Sequence, residues 1–263
     1  MISFIVPAYN EADNIGDTVE TLERVIADSG IDVYEVIIVD DGSTDGTDVR
    51  IAALKSRFPN IVGVRQPTNQ GIGCAVRAGL AIARFRQFMV VPADNDMHPE
   101  LIRLLLAYHD VADMIVTVPF NKEIRSNFRV ILSMLYQVIY MITFRVYVNY
   151  FNGPGIWPTE RARASALRAR RFSIIAELNV KLLRSGCRFF EVPGYMQAGP
   201  KARRTVTFRN LFEVMRSYVV LVYEVYIGAR RRFSQRPERV IIEFIAPQRA
   251  AARPERSSGS IPA

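Results

Sequence analysis

Through its first 120 residues the chain repeats one pattern: a short apolar run, a cluster of polar turn residues, then an amphipathic stretch. The runs Ile2–Val6, Val33–Val39, Val62–Val64, Phe88–Val91 and Met114–Val118 read as strands, and Asn14–Ala27, Val49–Phe58, Ile72–Phe85 and Glu100–His109 as helices. In the first helix Ile15, Val19, Leu22, Val25 and Ile26 recur at helical spacing. Strands that alternate with helices imply an α/β, Rossmann-like fold. Its sheet should be mostly parallel, flanked by helices on both faces, with ligand sites at the carboxyl ends of the strands.

The polar clusters lie where that rule places a site. Pro7-Ala8-Tyr9-Asn10-Glu11 follows the first strand and Asp40-Asp41-Gly42-Ser43-Thr44-Asp45-Gly46 the second. A turn rich in Asp, Gly and Ser can present a carboxylate to ribose hydroxyls or a base N–H, and Tyr9 could pack on a base. The same residues are also ordinary turn and helix-cap chemistry. Asn69-Gln70-Gly71-Ile72-Gly73-Cys74-Ala75 opens the third helix. Its glycines permit close backbone approach and the helix N-terminus favours a diphosphate, or the run is simply a tight turn. Val76 leaves GxGxxG incomplete and the run does not follow the first strand, which argues against a dinucleotide-binding domain. The fourth strand stops at Pro92, and Asp94 and Asp96 follow. Two residues apart in extended chain, they can face one point, as hard divalent cations require. Alternatively this loop caps the helix that starts near Pro99, with Asp96 as the cap and His98 as a polar helix-start residue.

In this order and spacing, Val6–Glu11, Val39–Thr47, Asn69–Gly73, Ala93–Asp96 and Pro99-Glu100 resemble the inverting glycosyltransferase family 2 with the GT-A fold. Within it the chain is similar to dolichyl-phosphate and polyprenyl-phosphate sugar synthases. The resemblance implies a nucleoside diphosphate sugar donor, a polyprenyl phosphate acceptor, and Mg2+ or Mn2+ as cofactor. It implies that Pro7, Tyr9, Glu11 and Asp40 line the nucleoside pocket, with Asn69 and Gly71 close by and Asp94 central to the metal and diphosphate site. Members often read Asp-Ala-Asp-Leu-Gln where this chain has Pro92-Ala93-Asp94-Asn95-Asp96, so Asp94 and Asp96 together are expected to hold the cation. Asn152–Trp157 looks like the family loop that approaches the reacting centre. Glu177 matches a recurrent family Glu and could bind a sugar hydroxyl or orient arginines; a helix-surface ion pair with Lys181 at i+4 is the alternative. Relatives carry Arg-x-x-Gly-x-Ser-Lys after the counterpart of Pro193; here the stretch contains Lys201, Arg203 and Arg204, which could clamp the acceptor phosphate or form a solvated basic loop. The expected catalytic set is Asp94, Glu177, Arg203 and Arg204. Two alternatives stand beside this reading: a transferase of the same fold acting on a soluble hydroxyl acceptor, glycan or metabolite, or a non-catalytic nucleotide-sugar-binding, membrane-associated protein. An anionic phosphate acceptor needs no residue to remove a proton, whereas a hydroxyl acceptor would need a base, with Glu177 the first candidate.

The second half carries two aromatic-rich segments. Between Arg129 and Arg145 lie 15 residues interrupted by Ser133 and Gln137, too short for a bilayer span. Phe128, Ile131, Leu132, Leu135, Val138, Ile139 and Ile142 follow helical spacing, as do Leu211, Phe212, Met215, Tyr218, Val219, Val222, Tyr223 and Tyr226 ahead of Arg230-Arg231-Arg232. Such C-terminal amphipathic helices could lie in a membrane interface or pack in the core or a homo-oligomer contact. Phe172–Gly186 reads as a helix, Phe189–Tyr195 as a strand, and Arg239–Ile245 as a short strand or helix. The expected division is 1–120 for nucleotide-sugar binding, 121–232 for the acceptor side, and 233–263 as a largely disordered tail. The net charge of +8, mostly from arginine, suits phosphates or an acidic membrane surface; nucleic acid ranks below, because the arginines do not interleave with aromatics in a recognised module. Cys74 and Cys187 lack metal-like spacing and are expected as reduced thiols. With no leader-like segment, the expected location is cytoplasmic, peripheral on the inner face of a membrane.

Overall fold

The computed structural model describes residues 1–119, 127–194 and 208–242. The alternation of the first 120 residues is realised as β1 (Ile2–Ala8), α1 (Ile15–Asp28), β2 (Tyr34–Asp40), α2 (Thr47–Arg57), β3 (Ile61–Arg65), α3 (Ile72–Ile82), β4 (Gln87–Val90), α4 (Pro99–Ala107) and β5 (Met114–Pro119). Then follow α5 (Asn127–Phe144), β6 (Gly155–Pro158), α6 (Thr159–Ala164), α7 (Ile174–Arg184), β7 (Arg188–Gly194), α8 (Phe208–Tyr223), a π-helical turn (Glu224–Gly228) and β8 (Glu238–Arg239).

The sheet order is β3-β2-β1-β4-β6-β5-β7-β8. Its pairings are parallel except for β6, which runs antiparallel to both β4 and β5. This is an α/β fold of the GT-A type. The chain steps outward from β1 to β3, then returns to the other side of β1 as β4. That reversal opens a crevice at the carboxyl ends of β1 and β4, where open α/β sheets bind ligands. β1 is buried at every position because both faces of the sheet are covered. Phe4 and Val6 enter one core with α1 and α4, while Ile5 packs on the opposite side with α3, α5 and α7.

Two expectations are corrected here. The strand β1 continues past Pro7 to Ala8, with Pro7 opposite Val39. Part of the Asn152–Trp157 stretch expected as a loop is strand β6. Its Trp157 is fully buried, lies 5.5 Å from the Phe88 ring, and donates its indole N–H to Asn179 Oδ1 at 2.7 Å. Burying that large ring on the face of the sheet covered by α7 favours the segment's place between β4 and β5.

α5 and α8 pack against one another through Tyr140 and Tyr218, whose ring centres are 5.4 Å apart, and through a 2.6 Å hydrogen bond between the Thr143 and Tyr218 hydroxyls. Their outer faces expose Met134, Leu135, Ile142, Phe212, Met215 and Val219. Among the described residues no helix is long and apolar enough to cross a membrane. Of the tail expected over 233–263, Phe233 is buried and Glu238–Arg239 pair with β7 as β8, and residues 243–263 lie outside the described residues.

Replacing Trp157 by Phe keeps most of the apolar packing but leaves Asn179 Oδ1 buried without its donor. Urea unfolding followed by circular dichroism should show a loss of about 1–3 kcal/mol with an unchanged denaturant slope.

Candidate active site

The loops after β1, β2 and β3 are laced together by side chains that bond to backbone. Asp41 N–H donates to Ala8 O at 2.8 Å. Asn10 N–H donates to Ser43 Oγ, Thr44 N–H to Asn10 Oδ1 and Glu11 N–H to Thr47 Oγ1, each at 2.9 Å. Ala12 N–H donates to Asp45 Oδ2 at 3.1 Å. Desolvation works against ionisation of Asp45, but the hydrogen bonds from Thr47 and Ala12 prevail and hold its carboxyl below the ordinary value. Gly42 has φ of +72°, and a Cβ there would lie 2.7 Å from the Thr68 backbone, so the turn requires glycine.

Asp41 extends the lacing to the third loop. Its carboxylate accepts Gln70 N–H at 2.8 Å and Gly71 N–H at 2.7 Å. Gly73 N–H donates to Arg170 O at 2.8 Å. A Cβ on Gly71 would come within 2.5 Å of Arg170 O, and one on Gly73 within 2.3 Å of Ala169 O. The glycines at the start of α3 therefore make room for the chain's own segment near Arg170. The amides of Gln70, Gly71 and Gly73, at the helix start read as favouring a diphosphate, already have partners within the chain.

Asp40 is different. It is 1% exposed, and its Oδ1 accepts Ser43 N–H at 2.8 Å. Its Oδ2 makes no hydrogen bond and lies 3.5 Å from Arg65 Nε. A buried carboxylate oxygen left this way is costly unless a ligand donates to it. Asp40, Asp48, Lys55 and Arg65 line a cavity of about 400 Å³ between α2 and β3. Tyr9 is exposed, as stacking on a base would need, and Asn69 is exposed while Gly71 is half-buried. Pro7 is buried within β1. Glu11 is also buried; its Oε2 accepts Asn14 Nδ2 at 2.7 Å and its carbonyl accepts the amides that begin α1.

The turn after β4 is anchored at Ala93, whose carbonyl accepts Thr18 Oγ1 at 2.9 Å. Asn95 has φ of +57°, and Asp94 Oδ1 accepts Asp96 N–H at 3.4 Å, so both aspartates belong to one tight turn at the crevice. Both are partly exposed. Among the described residues no group of three or more His, Cys, Asp or Glu side chains could hold a metal. Two carboxylates fit a hard cation that completes its shell with phosphate oxygens and water. Asp96 is not the helix cap: His98 occupies that position and accepts Glu100 N–H on Nδ1 at 3.1 Å, with Pro99 in the first turn.

Glu177 is drawn below the surface. Its carboxylate accepts Ala169 N–H at 2.6 Å, Arg168 N–H at 2.9 Å, and Lys181 Nζ at 2.6 Å. The ion pair with Lys181 exists, but it is buried, because α7 is enclosed nearly all round, with every residue from Ala176 to Leu183 buried. Lys201, Arg203 and Arg204 lie outside the described residues. Sequence reasoning missed the roles of Asp41, which braces the third loop, and Arg65, beside Asp40, and also Glu224, which pairs with Lys181 at 2.6 Å; no local pattern announces them, since each depends on a partner distant in the chain.

Residues 3–175 match the family described as Glycosyl transferase family 2. A dolichyl-phosphate beta-glucosyltransferase of Trichomonas vaginalis is 37% identical over 98 residues, covering 36% of this chain and 30% of that protein. A dolichol-phosphate mannosyltransferase of Pyrococcus furiosus is 32% identical over 105 residues, covering 40% and 29%. A succinoglycan biosynthesis protein of Rhizobium meliloti is 34% identical over 117 residues, covering 44% and 32%. The matched stretches thus span about a third of these relatives. Among solved structures, glucosyl-3-phosphoglycerate synthase from Mycobacterium tuberculosis, in complex with Mn2+, uridine diphosphate and phosphoglyceric acid, superposes with a TM-score of 0.63. It is 17% identical, over 85% of this chain and 78% of that one. At that identity the likeness establishes the shared fold.

Asp41→Ala removes the acceptor for two loop amides and should lower unfolding free energy by about 1–3 kcal/mol. Tyr9→Ala, at an exposed position, should stay within about 0.5 kcal/mol of the parent in the same urea titration.

Proposed function

We propose that this chain, which belongs to glycosyl transferase family 2, moves a sugar from a nucleoside diphosphate sugar to a polyprenyl phosphate at a membrane surface, inverting the anomeric centre. The observation that carries the acceptor assignment is the apolar outer face of the α5–α8 pair. Ile142 is 73% exposed and Phe212 74%, and exposed arginines at 145, 216 and 230–232 accompany the face. An apolar surface of this kind with guanidinium groups beside it suits lipid tails and their phosphates. The dolichyl-phosphate relatives support the same acceptor class.

On this reading Asp40 receives a base N–H on its spare oxygen, Tyr9 packs on the base, and Asn69 and Gly71 flank the nucleoside. Asp94 and Asp96 would hold Mg2+ or Mn2+, which when bound supplies positive charge to offset that of the leaving diphosphate. Lys201, Arg203 and Arg204 would bind the acceptor phosphate as charge-assisted donors. A phosphate acceptor is ionised near neutral pH and attacks the anomeric carbon without a residue removing its proton. The burial and ion pairing of Glu177 suit this chemistry, because its carboxylate is engaged with Lys181 and backbone amides instead of waiting for a hydroxyl. The chain's task is then to place two anionic partners in line and balance their charge.

The direct test supplies radiolabelled GDP- and UDP-sugars with polyprenyl phosphate and Mn2+ or Mg2+, and counts label in the organic phase. Label should enter that phase, vanish with chelator, and fall about 100-fold or more in Asp94→Ala. Label transferred only to soluble hydroxyl acceptors would replace the lipid reading, and tight nucleotide binding without turnover would replace the enzymatic one.

A further inference from the structure

Lys181 is 1% exposed and lies among ions. Its ammonium is 2.6 Å from Glu177 Oε1 and 2.6 Å from Glu224 Oε2, and it donates to Ala166 O at 2.9 Å. Glu224 opens the π-helical turn that follows α8, and its other oxygen pairs with Arg168. Such turns interrupt helices mostly where geometry serves function. The segment from Ala166 to Ala169 is therefore held at a carbonyl, two amides and the Arg168 side chain by one cluster of two carboxylates and an ammonium. On its far side the same segment abuts α3: Arg77 donates to Ala169 O at 2.7 Å, and Arg170 O accepts Gly73 N–H. Buried ion pairs are weak sources of stability, since apolar residues of similar volume often do as well. What this cluster supplies is a position.

We infer that Glu177, Lys181 and Glu224 are positioning residues for the donor site. They press segment 166–170 against Gly71 and Gly73, and so set where Asn69 and Gly71 meet the nucleoside diphosphate. This rests on the donor being a nucleoside diphosphate sugar. Glu224 also ties that placement to α8, the helix that carries half of the exposed apolar face.

The test uses the full chain and measures UDP and GDP affinity by calorimetry with Mn2+ present, together with donor KM and kcat. Glu177→Gln keeps the shape but not the charge, and should raise diphosphate Kd and donor KM about 10-fold while kcat changes less than about threefold. Arg168→Ala, at an exposed position, removes only the Glu224 link and should raise donor KM about threefold; it keeps the question answerable if Glu177→Gln fails to fold. Unchanged emission from Trp157, buried and bonded to α7 through Asn179, certifies intact packing. A kcat loss of about 100-fold with donor KM unchanged would make Glu177 a group acting on the reacting atoms and overturn the inference. Unaltered diphosphate affinity in both variants would overturn it as well. A parent protein that binds neither diphosphate would instead remove the donor reading, and this inference with it.

Discussion

The Asp41 carboxylate takes the amides of Gln70 and Gly71 while its own amide bonds to Ala8, so one residue joins the loops that follow β1, β2 and β3. Each of those loops is rich in Gly, Ser, Asn and Asp, and alone would sample many conformations at considerable entropic cost. Joined, they order one another. Asn10, Ser43, Asp45 and Thr47 are consumed in this lacing, which leaves Tyr9 and the Asp94–Asp96 turn at the surface of a rigid frame and Asp40 buried beneath it with one oxygen free of hydrogen bonds. A site that must hold a charged ligand in one orientation depends on that division, since first-contact groups are only as well placed as the groups that support them.

The distribution of arginine follows a similar logic. A basic chain invites the reading that its cations await anionic partners, yet many guanidinium groups here serve the fold. Arg163 donates to Leu80 O and Ala83 O at the end of α3, Arg161 to Ser185 O after α7, and Arg77 to Ala169 O. Leu80, Ala83 and Ser185 lie at helix C-termini, whose carbonyls carry partial negative charge, so those contacts satisfy orphan acceptors and the helix dipole together, while Arg77 braces the loop ahead of α7. The net charge therefore overstates how much positive surface is free for phosphate, since even Arg232, exposed after α8, donates to Ala164 O.

Much of this architecture was legible in the sequence. The strands and helices of the first 120 residues follow from period and turn chemistry, and the crevice from their order, because local residues decide those features. β6 was not legible: the four residues Gly155–Pro158 show no alternation, and their pairing with β4 and β5, with Trp157 buried against Phe88, depends on distant partners. The strand-end motifs were legible as polar loops at one edge of the sheet but not in their division of labour. Asp40 and Asp41 are neighbours of the same type, and only their opposite directions at the end of β2 make one a ligand candidate and the other a brace. The Glu177–Lys181 pair was visible at i+4, yet its burial depended on Glu224, which is 43 residues beyond Lys181.

The central claim is that the turn after β4 gathers a divalent cation together with a nucleoside diphosphate. Electron paramagnetic resonance of free Mn2+ reads this directly, because the aqueous ion's signal falls when it is bound. With UDP or GDP present, the parent protein should deplete the signal in a 1:1 ratio with its sites, beyond what the nucleotide alone removes, and Asp94→Ala/Asp96→Ala should not. Equal depletion by parent and variant would place the cation elsewhere and contradict the account.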